Sequence, residues 1–175
     1  MKFAATGIEG VVRVSPEPAR DGRGFFARLH CADEFARAGH PFAPAQTSLS
    51  RNDAALTLRG MHWRAAPFAE TKLVRVVRGA AFDVAVDLRP GSPTFRAWVG
   101  ARLDAAGGDA LLVPPGCAHG FLTLEEGTDV LYQIDRAYAP GHDRGFRWDD
   151  PAAGIDWPAA PAVVSARDAT WPPLG

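Results

Sequence analysis

Cysteine is nearly absent from this chain. Its 175 residues include two, Cys31 and Cys117, and their positions make neither a metal-binding spacing nor a disulfide framework. A reducing, cytoplasmic setting is therefore expected. A charge excess of either sign is also lacking: nineteen Lys and Arg stand against twenty Asp and Glu, a formal net charge of −1. No bulk field then draws the protein to nucleic acid or to an acidic membrane, and neither is expected as a partner. An anionic ligand would have to be held by local arginines. Long apolar runs are missing too. The N-terminal stretch "MKFAATGIEGVVRV" has none long enough for a signal peptide, and no segment approaches the ~20 apolar residues of a membrane span. Internal repeats and low-complexity tracts are absent. What is plentiful is glycine and proline, 18 and 15 residues, as expected where turns are many. A hydrophobic share of 47% against 22% charged is that of a soluble globular protein. The length suggests one domain, able to bury roughly two-thirds of its unfolded surface.

The pattern is mainly β. "GVVRVSPEP" reads as a strand ended by prolines, "RGFFARLH" as a second extended run, and "CADEFARAG" as a short helix closed by Gly39. From Gln46 to Gln133, the segments "KLVRVV", "AAFDVAVDL", "TFRAWVGARL", "DALLVP", "AHGFLTL" and "TDVLYQI" are separated at short intervals by Gly, Pro and Asp. That spacing predicts a sandwich or barrel rather than βαβ units. In "FDVAVDL", Phe82, Val84, Val86 and Leu88 share one face, and Asp83, Ala85 and Asp87 the other. Past Tyr138 the chain is rich in Pro, Asp and Trp and reads as an irregular, surface-wrapping tail, with a short turn in "SARDATWPPLG".

One motif speaks to the fold directly. In "GGDALLVPPGCAHGFLTL", Gly108, Pro114, Gly116 and His119 are separated by five, one and two residues. This resembles the second sequence motif of the cupin barrel, except that Thr123 stands for its last Asn. The first cupin motif binds a metal through His-x-His and a Glu. Here the text is His62-Trp63-Arg64: the second ligand is missing and an arginine sits where a cation would be repelled. With at most His62, His119 and Glu70 to offer, no metal is expected.

The blocks "DGRGFFARL", "LRGMHW", "KLVRVVRG", "DVAVDLRPGSPTF", "VPPGCAHGFLTL", "VLYQIDRAYAP" and "RWDDPAAGIDWP" resemble, in order and over nearly the whole chain, the dTDP-4-dehydrorhamnose 3,5-epimerase family. The resemblance implies a mainly all-β fold, a cupin-type jelly-roll β-barrel or sandwich with short peripheral helices. It implies a single cupin-like epimerase domain over residues 1–175, whose irregular C-terminal tail starts at about residue 139. It further implies a homodimer, no metal or cofactor, and a nucleotide-linked 4-keto-6-deoxy sugar as substrate. The expected reaction inverts C3, C5 or both, most simply taking dTDP-4-dehydro-6-deoxyglucose to dTDP-4-dehydrorhamnose.

Inverting a carbon beside a ketone needs a base, a stabiliser for the enolate oxygen, and an acid on the far side. His62 is the natural base, since imidazole titrates near neutral pH. By resemblance, Asp168 is the carboxylate that fixes its tautomer. Lys72 would place a cation near the developing oxyanion. Tyr132 would donate the returning proton, because an ordinary phenol is protonated at neutral pH. For the substrate, Arg23 and Arg59 match the family's phosphate and sugar contacts, His119 a second substrate-contacting histidine, and Tyr138 an aromatic stacked on the base. Gln46 and Ser48 occupy its "Q-x-N-x-S" segment, Asp143 stands for a glutamate, and Arg167 stands for a lysine before the dyad aspartate. Trp63 and Arg64 replace Tyr-Gln, and Arg28 replaces a glutamate. Arg59 and His62 are three apart and should face opposite sides of a strand unless Gly60 forms a bulge that re-aims one of them. Two competing readings are a metal-dependent cupin enzyme and a non-catalytic sugar-binding cupin.

Overall fold

The computed structural model describes residues 1–175. Its strands are β1 (Lys2–Ala5), β2 (Val12–Ser15), β3 (Ala19–Asp21), β4 (Gly24–Phe26), β5 (Gln46–Asn52), β6 (Thr57–Arg64), β7 (Lys72–Arg78), β8 (Ala80–Asp87), β9 (Trp98–Asp104), β10 (Ala110–Val113), β11 (Cys117–Thr123), β12 (Thr128–Ile134), β13 (Asp143–Gly145) and β14 (Val163–Val164). Two short helices join them, α1 (Ala32–Arg37) and α2 (Ala166–Ala169). Gly39 follows α1 with φ +83°, the left-handed turn that ends a helix. Neither helix is long and apolar enough to cross a membrane.

One sheet runs β1-β2-β10-β7-β12-β5 and the other β13-β6-β11-β8-β9, with β14 pairing parallel to the start of β6. The barrel expected from the cupin motif is not formed. Closure requires every strand to have two partners, and β1, β5 and β9 each pair on one side only. The result is a sandwich of two open sheets, whose interior is filled by side chains of both inner faces. Val74, Val76, Leu111, Val113 and Val130 of the first sheet meet Ala81, Ala85, Leu103, Cys117 and Phe121 of the second.

Each sheet also has a covered outer face. On the first, Val12, Val14, Leu73, Ala110 and Leu112 pack under Phe35 and Phe42. On the second, Met61, Val84, Val86 and Ala118 pack under Phe146, Ala153, Ile155, Trp157 and Leu174. β8 is thus buried on both faces. The alternation in "FDVAVDL" holds, but its apolar side lies under the tail, and Asp83 and Ala85 face the sandwich interior.

Two extended runs are shorter than the sequence suggests. "RGFFARLH" contributes only Gly24–Phe26, paired with β3 in a hairpin. "TFRAWVGARL" becomes a strand at Trp98, because Ser92 and Thr94 turn back to bond the Asp87 carboxylate through their hydroxyls, at 2.5 and 2.7 Å.

Candidate active site

At one end of the sandwich, the inward rows change from apolar to polar. Along β7 the row Val76, Val74 ends at Lys72; along β12, Val130 leads to Tyr132; along β11, Phe121 leads to His119. Two adjoining hollows of about 200 and 370 Å3 open there, sharing Arg59, His62, Arg64, Tyr132 and Ile134. Of the predicted site residues, all except Arg23 line this cleft.

His62 lies on β6, and its Nε2 is 2.6 Å from Asp168 Oδ1. Asp168 is buried, with a side-chain exposure of 6% against 34% for His62. Its placement follows from the local sequence. β14 adds to the edge of β6 and runs directly into α2, where the Ser165 hydroxyl caps the helix by accepting from the Asp168 backbone N–H at 3.0 Å. Burial alone would raise the Asp168 carboxyl. Bonds from His62 and Trp171 and the nearby Gly60 backbone outweigh it, so the group is held below the usual carboxylate range. An ionised carboxylate only accepts, so Nε2 carries a ring proton, and in the neutral ring Nδ1 carries the lone pair.

Gly60 explains how Arg59 and His62 share a face. His119 pairs with His62 and Phe121 with Arg59, so three steps on β6 oppose two on β11, which is a bulge. Gly60 sits in it with φ +149°, and a Cβ there would lie 2.7 Å from the Gly120 Cα. Arg59 is then held by Asn52 Oδ1 at 2.7 Å and by the Arg51 carbonyl at 3.3 Å.

His119 neighbours His62 across the β6–β11 ladder and is fully enclosed, its Nε2 2.8 Å from Asp83 Oδ1. Asp83 was not singled out from the sequence as a site residue; its signal was the carboxylate on the inner face of "FDVAVDL". Tyr132 comes from the opposite sheet and meets the edge of the His119 ring, centroids 5.7 Å apart at 86°. Burial first, and then the negative charge of Asp83, push its phenol well above the ordinary range. It stays protonated throughout the neutral range.

Lys72 is nearly enclosed. Its Nζ lies 3.5 Å from both Glu70 Oε1 and the His62 carbonyl. Burial pushes its ammonium below the usual lysine range, partly countered by Glu70. Arg64, from the end of β6, reaches Glu70 Oε2 at 3.0 Å and Asp143 Oδ1 at 3.2 Å, and its guanidinium lies 5.0 Å from the Tyr138 ring centroid. Asp143 also receives Arg167 at 3.1 Å. Burial opposes its ionisation, but the two arginines hold its carboxyl low. Asp143 and Arg167, expected as substrate contacts, are thus each other's partners. Arg64 and Glu70 complete that wall; the sequence marked them only through the cupin metal motif and the replacement of Tyr-Gln, not as partners of each other.

Gln46 and Ser48 lie on β5, where Ser48 pairs with Tyr132 and the Gln46 amide donates to the Arg136 carbonyl at 2.8 Å. Trp63 points to the outer face, against Phe146, so its substitution for tyrosine concerns packing rather than the cleft. Arg28 is paired with Glu34 at 2.7 Å. Arg23 lies on the exposed β3–β4 turn, 90% accessible and paired with Asp21 at 2.6 Å. No group of three or more His, Cys, Asp or Glu side chains is placed to hold a metal ion.

Comparison with known proteins places this geometry in context. A family model described as dTDP-4-dehydrorhamnose 3,5-epimerase matches residues 5–175. A Sinorhizobium fredii protein of that description is 42% identical over 175 residues, covering 99% of this chain and 90% of the relative. A dTDP-4-dehydrorhamnose 3-epimerase of Streptomyces niveus is 39% identical over 169 residues, covering 96% and 81%. Among solved structures, a Bacillus anthracis dTDP-4-dehydrorhamnose 3,5-epimerase with TDP and pyrophosphate bound superposes with a TM-score of 0.96 at 38% identity, covering 99% of each chain.

Proposed function

We propose that this chain, which belongs to the dTDP-4-dehydrorhamnose 3,5-epimerase family, inverts C3 and C5 of dTDP-4-dehydro-6-deoxyglucose by removing and returning protons beside the C4 ketone. Both carbons flank that carbonyl, so the substrate itself supplies the acidity and no cofactor enters the chemistry. The reading rests on one observation: His62, backed by Asp168 of α2, stands on one sheet and the Tyr132 phenol on the other, around a single cleft.

His62 Nδ1 takes the α-proton, and the resulting imidazolium is stabilised by Asp168. Charge moves to the C4 oxygen, where the Lys72 ammonium stabilises it in a site shielded from water. Tyr132 then protonates the opposite face of the enolate and inverts the centre. Arg59 has Nε and Nη2 committed to Asn52 and Arg51, and its remaining Nη1 suits a phosphate oxygen. Tyr138, exposed on the rim over Arg64, offers a face to the nucleobase. Gln46, Ser48 and His119 line the remaining wall as sugar contacts.

Arg23 serves the same reaction only if a second copy brings it. We place the β3–β4 hairpin, with its exposed Phe25 and Phe26, at the cleft of a partner in a homodimer. The free thiols of Cys31 and Cys117 suit a reducing cytoplasm.

The test is solvent deuterium wash-in at C3 and C5 of dTDP-4-keto-6-deoxyglucose, followed by NMR. Incorporation at both carbons is the expected result, and incorporation at C3 alone would reduce the reaction to a single inversion. Absence of exchange with any 4-ketosugar overturns the enzyme assignment. His62→Ala abolishes exchange and leaves the fold intact; exchange at the wild-type rate in that variant removes His62 as the base.

A further inference from the structure

We propose that Glu70 is a positioning residue of this reaction, anchoring the Lys72 ammonium in the cleft wall while its second oxygen is committed to Arg64. The inference rests on the epimerase reading for what Lys72 does, but not for what Glu70 does to Lys72.

Glu70 is buried, with 5% of its side chain exposed, and is shared between two cations: Oε1 lies 3.5 Å from Lys72 Nζ and Oε2 3.0 Å from Arg64 Nη1. The contact to Arg64 is one of charge rather than an aligned hydrogen bond. β10 faces Lys72 with Val113 and β12 with Ile134, while the other neighbouring elements present polar or charged groups. β6 brings Arg64 and the His62 carbonyl; β13 brings Asp143; α2 brings Arg167; β11 and β12 bring His119 and Tyr132. Asp143 is already divided between Arg64 and Arg167. Glu70 is therefore the one carboxylate in salt-bridge contact with Lys72.

When Glu70 loses its charge, the chemistry of the two cations decides which of them yields. A guanidinium does not release its proton in a protein, whereas a buried lysine does so readily. An uncompensated positive charge in this wall is relieved by Lys72 becoming neutral. A neutral amine no longer opposes the developing charge at the ketone oxygen, so Glu70 governs catalysis through the protonation and aim of a residue it touches.

Glu70→Gln tests this, and the chain is well suited to a direct readout, because Lys2 and Lys72 are its only lysines. Protein labelled with [ε-13C]lysine gives two side-chain signals, assigned with Lys72→Met. In Glu70→Gln the Lys72 titration moves to lower pH, and kcat for deuterium wash-in falls about 10²-fold with little change in KM, the scale of a misplaced catalytic group. The ratio of variant to wild-type rate rises as pH is lowered, and Glu70→Asp restores part of the loss. A purely structural role would move neither the titration nor the pH dependence of that ratio. An unchanged Lys72 titration in Glu70→Gln, or a Lys72 found neutral at pH 7 in the wild-type protein, overturns the proposal. The second measurement stands even if the variant does not fold. Loss of all exchange in the wild-type protein would instead sink the epimerase reading, and the titration would still judge Glu70.

Discussion

Asp168→Asn isolates the charge of the dyad. The substitution keeps the shape of the side chain, and the backbone N–H of residue 168, which donates to Ser165, still caps α2. Stability should therefore change little. What is lost is a negative charge 2.6 Å from the His62 ring nitrogen. A neutral ring before proton transfer gains little from that charge, so the loss there is small. Once His62 has taken the substrate proton, the ring is cationic, with its charge spread over both nitrogens at a mean separation of about 4 Å. A unit pair at that distance and an effective dielectric near 20 is worth about 4 kcal/mol, which is about 10³ in rate. An amide NH2 turned toward Nε2 would also favour the wrong tautomer and deepen the loss. The assay is NMR-detected deuterium wash-in into the 4-ketosugar under single-turnover conditions, with the unfolding midpoint measured in parallel. Wash-in within about tenfold of wild type, in a protein of unchanged stability, would refute the assignment of Asp168 as the partner that makes His62 a base.

Tyr132→Phe should separate two events that wild-type kinetics merge. Deuterium still enters from the His62 side, but inverted product falls about 10²–10⁴-fold; product forming at the wild-type rate would remove the phenol from the mechanism. Gly60→Ala forces a Cβ to 2.7 Å from the Gly120 Cα at φ +149°, and should cost about 1–3 kcal/mol, a fall in Tm of roughly 2–12 °C by calorimetry. Because the folded phenol of Tyr132 is held above its unfolded value, its contribution to stability is complete below pH ~10 and lost as pH rises further. The urea midpoint should decline there, and less steeply in Tyr132→Phe. Asp87 acts on the other limb. Burial opposes its ionisation, but bonds from Arg89, Ser92 and Thr94 outweigh it and depress the carboxyl. Its contribution is present above the unfolded value and lost as pH falls, so Asp87→Asn should flatten the acid side of the same profile.

The strands were legible where one pattern admits one reading. "KLVRVV", "AHGFLTL" and "TDVLYQI" became β7, β11 and β12, and their inward rows placed Lys72, His119 and Tyr132 at the same end. β8 was legible only by half. Alternation shows which residues share a face, but when both faces are buried it does not say which one looks inward, and so Asp83 went unnoticed beside His119. Closure was not legible either. Whether β1 and β5 find partners depends on strands far away in sequence, and the cupin motif, which spans a strand, a turn and a strand, carries no information about edges. The pairing of Arg64 and Arg167 on Asp143 was hidden for the same reason, since it joins β6, β13 and α2 across a hundred residues of chain. Asp143 and Arg167, read as contacts of the substrate, are also partners of one another.

The sandwich matters to the chemistry because inversion needs proton donors and acceptors on both faces of a planar enolate. Neighbouring strands in one sheet are about 4.8 Å apart, and their side chains point the same way, whereas facing sheets lie about 10 Å apart. Groups on one sheet reach a ring in the cleft from one side only, whereas groups on facing sheets can reach it from both, at the end where the sandwich opens into the cleft. His119 also lies in the cleft, but on the proposed mechanism it is not the acid that inverts the carbon. It is paired with His62 across adjacent strands of the same sheet, so a proton it gave would return to the face from which His62 took one. Tyr132 pairs with Val74 and Ser48 in the opposite sheet, and its row points back toward His62. On the proposed mechanism, the stereochemical outcome thus follows from sheet membership, before any distance within the cleft is considered.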